Sequence, residues 1–248
     1  MLRNYQREYL DRIIEGLEEI YETQHEAIAK CAELIADKIA EDGLLYVFGS
    51  GGHSNMMAEE MFHRAGGLAC VSPIFADGIK IPHIPFGERC EQLVPYIFDF
   101  YDLKKGDLLL LVNGYGINPV TIESFLEAER RGITVIAVTS TEYANTLPKD
   151  FNGRHKSGLN LHEIAGNVLL TNIPYGDGII HMDGVDSVVG AYSTYANALI
   201  CNSLVLETCR ILVERGIEPP IINSVNVFNG MEKNQKLYAH YRSRIRFL

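Results

Sequence analysis

Two short apolar runs, residues 44–48 and 107–112, each break directly into a glycine-bearing loop followed by a helical pattern. The first reads LLYVF before GSGGHS, and the second reads DLLLLV before NGYGINP. Strands that are apolar on both faces must be covered on both faces, which a repeated strand–turn–helix order achieves by winding helices over a parallel sheet. Residues 68–71, stopped at Ser72-Pro73, residues 133–138 and residues 167–170 supply three further strands of the same kind. If the first and third strands are neighbours, as in a 2-1-3-4-5 order, both glycine loops open on one crevice at the carboxyl ends of the strands, where such sheets bind ligands.

The flanking segments are helical. From residue 4 to 40 the apolar positions Tyr5, Tyr9, Ile13, Leu17, Ile20, Ile28, Cys31, Ile35 and Ile39 recur at helical spacing, with Gln24 in the same series. The result is one long amphipathic helix or two joined ones, longer than one face of a small domain covers, which points to packing against a second subunit. Residues 91–101, 119–131 and 193–215 are further helices, residues 74–88 read as an ordered surface loop, and the glycine-bearing stretch 174–190 precedes the longest of these helices. Residues 229–248 form a final basic helix. No repeat or linker divides the chain, so residues 1–248 read as a single domain, with a helical arm at 1–40 and a basic tail at 229–248.

Composition removes several classes of function. A formal net charge of −10 argues against binding nucleic acid or an acidic membrane surface. Cys31, Cys70, Cys90, Cys201 and Cys209 form no CxxC pair and are odd in number, as expected of small buried apolar residues in a reducing compartment. The first nineteen residues are laced with Arg and Glu and hold no apolar core of a signal peptide, and no apolar run nears the roughly 18 residues of a membrane span. The expectation is a cytoplasmic protein with no membrane contact.

Chemistry concentrates in the two loops. Glycine permits positive φ and close approach of backbone N–H groups to an anion, and the helix that follows adds partial positive charge and unpaired donors. Asn118-Pro119 suits a helix N-cap and first position. One such loop is often only a tight turn, whereas two together indicate an anionic small ligand. The expected ligand-binding residues are Ser50, Gly51, Gly52, His53, Ser54, Asn113, Tyr115 and Asn118, with Ser193 at the start of the long helix. Residues 49–54 spell G-x-G-x-x-S, without the third glycine of a dinucleotide fingerprint. The second strand ends in Ser72-Pro73, without a carboxylate for a ribose, and no GK[ST] follows either loop.

The segments GSGGHSNMMAEEMFHRAGG, NGYGINPVTIESFLEAERRGITVIAVTS, GAYSTYANALICNSLVLETCRILVERG and PPIINSVNVFNGMEKNQKLYAHYRSRIR resemble the SIS (sugar isomerase) domain family, in particular bacterial members labelled phosphoheptose isomerases. The resemblance runs over nearly the whole chain. It implies a three-layer α/β/α sandwich with a five-stranded parallel sheet, a homodimer or homotetramer, and a phosphorylated sugar bound near a subunit interface. Members of the family include isomerases, etherases, deaminases and regulatory sensors. The family's second loop usually carries two serines where this chain has Asn113 and Tyr115, so phosphate recognition is expected to shift toward Ser50, Ser54 and the amides of the first loop.

Aldose–ketose isomerisation through an enediol needs a base between adjacent carbons and a proton shuttle between the two oxygens. Glu59, Glu60 and His63 follow the first loop at a spacing that shares one helix face. The resemblance puts Glu60 in the place of the family's catalytic carboxylate, against the plainer reading of a solvated acidic pair. His63 is a second candidate or an ordinary surface histidine, and His155, after the fourth strand, is a third or part of a basic loop. Metal-dependent relatives carry histidines one turn before that glutamate and on the last long helix; here the first place is Met56 and residues 193–215 hold none, so no metal and no cofactor are expected. The sequence thus predicts a phosphosugar isomerase, the alternatives being a non-catalytic sugar-phosphate sensor and an etherase or lyase. The basic tail, Lys233 to Arg246 with Tyr238 and Tyr241, is read as docking on the acidic body and not on nucleic acid.

Overall fold

A computed structural model describes residues 3–79 and 87–248. Helix α1, Tyr5–Ala40, is one unbroken helix of 36 residues, so the arm is a single element. Asn4 caps it by accepting from the Arg7 amide at 3.1 Å. The strands are β1 Leu45–Gly49, β2 Val71–Pro73, β3 Leu108–Val112, β4 Thr134–Thr139 and β5 Val168–Leu170. They form one sheet in the order β2-β1-β3-β4-β5, every pairing parallel. The central β3 is buried along its whole length, as its unbroken leucine run requires. Helices α2 Met56–Met61, α3 Val94–Phe100, α4 Pro119–Arg131, α5 Glu142–Thr146 and α6 Leu161–Ile164 lie between strands. Helix α7, Ser193–Glu214, packs along α1 to make one layer of the sandwich, and α3 packs with α4 in the other.

Four features differ from the sequence reading. The second strand starts at Val71 and runs through Ser72-Pro73; β2 is the sheet edge, where proline's missing N–H costs no ladder bond. Leu68 instead forms an isolated antiparallel bridge with Ile221. The 174–190 stretch contains an antiparallel hairpin, β6 Gly178–Ile180 with β7 Val189–Ala191, which three-residue strands and a long connection did not advertise. Cys31, Cys70 and Cys201 are buried, but Cys90 is exposed. Residues 80–86 of the expected 74–88 loop lie outside the described residues.

Helix α7 has the length and apolarity of a membrane span, and half of that apolar stretch is buried within the protein. The tail forms α8, Gly230–Tyr241, and then folds back on the chain's own body. Tyr241 and Ile245 are buried, and Phe247 stacks on Phe75 at 5.3 Å.

Candidate functional site

The parallel register sets Gly49 opposite Val112, so the loops after β1 and β3 leave the sheet side by side. Gly51 has φ +144° and Gly52 φ +51°, conformations that disfavour any side chain. A Cβ at Gly51 would also lie 2.7 Å from the Glu88 Cβ, so the loop passes close under that residue.

The second loop is wired from within. The Asn113 side-chain oxygen accepts from the Tyr115 amide at 3.0 Å and the Gly116 amide at 2.9 Å, while its nitrogen donates to the Ser50 carbonyl at 3.3 Å. Ser54 Oγ accepts from the Gly114 amide at 3.3 Å. Amides that a bound anion would otherwise claim in this loop are therefore already engaged. Ser50 is fully buried beneath the loops, with its hydroxyl 2.8 Å from that of Thr121.

Above them lies a cleft of about 210 Å³. It is lined by Gly51, Gly52, His53 and Ser54 from the first loop, Asn113, Tyr115 and Asn118 from the second, and Ser193 from α7. All the expected ligand residues except Ser50 thus come together. Asn118 sits at the N-cap position of α4 but its side chain makes no capping bond; it is 6 % exposed, and its side-chain oxygen Oδ1 has no partner. Tyr115 stacks on Tyr143 with centroids 4.2 Å apart, and Tyr143 on Tyr175 at 5.2 Å. Burial raises the Tyr115 phenol pKa above its usual value.

Glu88, Gly114 and Asp177 also line the cleft. Sequence reasoning passed over both carboxylates. Glu88 lies in a short turn, Gly87–Arg89, beyond a stretch with no periodic signal. Asp177 takes φ +64° between two glycines, and its carboxylate accepts from the Tyr192 amide at 3.1 Å, the Ser193 amide at 2.7 Å and the Ser193 hydroxyl at 2.7 Å. It thereby seals the N-terminus of α7, a role invisible at sixteen residues' separation; the only sequence signal was the G-D-G turn itself.

None of the three catalytic candidates lines the cleft. Glu60 faces α7, accepting from Asn202 Nδ2 at 3.2 Å and pairing with Arg64 at 2.9 Å. Asn202 lies nine residues beyond Ser193, about 13 Å along the helix at its standard rise. His63 does not share a helix face with Glu60: α2 stops at Met61, Phe62 turns extended and His63 takes φ +49°. Its Nε2 meets the Tyr238 hydroxyl at 3.0 Å, joining the first loop's helix to the tail. His155 is buried, its amide donating to Ile117 O at 2.8 Å and its Nδ1 lying 2.7 Å from Ser157 Oγ, so it braces the second loop from behind.

A parallel 2-1-3-4-5 sandwich with two glycine loops over one polar cleft defines an α/β protein built to hold a small ligand. Residues 8–140 match the SIS domain, and the chain belongs to that family. It is 38% identical over 247 residues to a UPF0309 protein of Caldanaerobacter subterraneus, covering 97% of this chain and 98% of that one. Among solved structures it is similar to the sugar isomerase domain of the RpiR transcription factor from Sphaerobacter thermophilus, with a TM-score of 0.52, 18% identity and coverage of 86% of this chain and 94% of that one. It is also similar to the Vibrio vulnificus NanR protein complexed with ManNAc-6P, with a TM-score of 0.51, 12% identity and coverage of 95% and 69%. At these identities the likeness to both structures is one of fold.

Proposed function

We propose that this protein binds a phosphorylated sugar in the cleft over β1 and β3 and interconverts its aldose and ketose forms by proton transfer through an enediol. The observation that carries the reading is the side-chain amide oxygen of Asn118, Oδ1, buried without a donor at the cleft. A buried acceptor left unpaired is costly, and a sugar hydroxyl is the donor that relieves it. The carboxylates of Glu88 and Asp177 suit hydroxyls for the same reason and would repel an anion, and Glu88 packs against Gly51, so the phosphate belongs on the open Gly52–Ser54 side of the first loop. ManNAc-6P in NanR, a protein of the same fold, is a ligand of this class.

The base is a carboxylate. Glu88 stands in the cleft; Glu60, the residue the family resemblance favours, stands on α2 outside the cleft lining, against Asn202 of α7. The reading makes the protein a cytoplasmic homodimer or homotetramer, for which the exposed Tyr21 of α1 and Leu206 of α7 offer apolar surface. Heavy-water exchange tests the chemistry: deuterium should appear beside the substrate carbonyl. Loss in Glu88→Gln alone assigns the base to the cleft, and loss in Glu60→Gln returns it to α2. Tight binding with no exchange in the unaltered protein would replace the isomerase with the second reading, a non-catalytic sensor, which the engagement of Glu60 by Asn202 and Arg64 favours.

A further inference from the structure

A second, larger cavity of about 540 Å³ lies behind the cleft, between α1 and the β6–β7 hairpin. The two share one wall. Asp177 and Ser193 line the cleft, while their chain neighbours Gly178 and Tyr192 line the second cavity. The tyrosine stack crosses from one to the other: Tyr115 lines the cleft, Tyr143 lies between, and Tyr175 lines the second cavity.

That cavity carries its own unmet polar group. Tyr192 is 3 % exposed and its hydroxyl has no partner. The hydroxyl rests against Gly16, in the middle of α1, where a Cβ would come within 2.6 Å of it. Glycine weakens a helix interior, so its presence here keeps room for the tyrosine. Glu19 lines the same cavity and accepts from Asn172 Nδ2 at 3.2 Å, and Arg12 and His181 complete a polar rim. Hydroxyl-rich groups satisfy such a lining, and the exposed faces of stacked tyrosines give a sugar ring an apolar surface to lie on. Size points the same way: pockets for small ligands run from roughly 300 to 1,000 Å³, a range that the cleft does not reach and the second cavity does.

We infer that the second cavity is a subsite for a second glycosyl-sized polar unit, so that the ligand class is a glycosylated or comparably substituted sugar phosphate and not a bare monosaccharide phosphate. The inference rests on the phosphosugar reading for the cleft. Tyr192 supplies a hydrogen bond to the second unit, and Tyr175 the stacking surface.

The test is calorimetric binding of the full chain to glucose, N-acetylglucosamine, maltose and chitobiose, each free and as its 6-phosphate. At least one disaccharide phosphate should bind tenfold or more tighter than its monosaccharide phosphate. Tyr175→Ala and, separately, Tyr192→Phe should remove that gain and leave monosaccharide phosphate affinity unchanged. Equal affinity for the two sizes, or an equal loss for both in the variants, overturns the subsite while the cleft reading stands. A gain from the second unit that is indifferent to phosphate keeps the subsite and overturns the phosphate reading. No binding by any member overturns both.

Discussion

Asn118 shows what a single residue in this protein is for. Its position before Pro119 reads in sequence as a helix cap, yet its side chain forgoes the cap and leaves an acceptor unpaired at the cleft. Burying that acceptor costs stability, which a ligand hydroxyl recovers. Asn118→Ala is therefore expected to weaken phosphosugar binding about tenfold, roughly 1.4 kcal/mol, with the ligand-free melting temperature unchanged or raised. A lowered melting temperature with intact affinity would make Asn118 structural. At this scale the sequence was partly legible. Glycines and small polar residues after strands mark a cleft because only they permit its backbone, so 49–54 and 113–119 could be found. Ser50 turned inward because its hydroxyl meets Thr121, seventy-one residues away, and Glu88 and Asp177 reach the cleft through folding that no local pattern encodes.

Elements hold these residues in place, and α4 bears the clearest electrostatic tie. Glu127 accepts from Arg130 at 2.7 Å and from Arg131 at 2.6 Å, and Arg131 reaches on to Asp99 and to the Leu103 and Pro95 carbonyls around α3. The hydrogen bond from Arg130, followed by that from Arg131, holds the Glu127 carboxyl down at about 2. A depressed carboxyl stabilises the fold wherever it is ionised in both states, and that stability is lost as pH falls from the unfolded value near 4.5 through about 2. Glu127→Gln is expected to cost about 2 kcal/mol at pH 7, a deficit that closes as chemical denaturation is repeated toward pH 2. A deficit constant with pH would show that the charge is not what matters. Strand and helix types were legible here because apolar runs and helical spacing are local. Their ends were less so: α2 stops at Met61 because the chain must turn through Phe62 and His63, and that turn carries His63 to Tyr238 and away from Glu60.

Across the whole molecule the two ends of the sheet take separate tasks. The cleft lies at the carboxyl ends of β1 and β3, whereas the last residues cover edge strand β2 and the entry to β1. Ile245 is buried there, Arg246 lies 4.0 Å above the Phe100 ring, and Arg244 pairs with Asp42 at 3.0 Å. Removing residues 242–248 should lower stability by roughly 3 kcal/mol, mostly through lost apolar burial, without changing ligand affinity. Lost affinity would mean that the tail reaches the site. The sheet order was legible from strand spacing and family resemblance together, and the docking of a basic tail on an acidic chain follows from charge. That the two glycine loops hold a phosphosugar is most directly tested by the melting temperature of the purified protein with paired sugars, free and phosphorylated, at equal concentration. Stabilisation follows RT ln(1 + [L]/Kd), so weak binders register at high concentration. Selective stabilisation by the phosphorylated member of at least one pair is the expected result; equal stabilisation by the free sugars, or none by either, would contradict it.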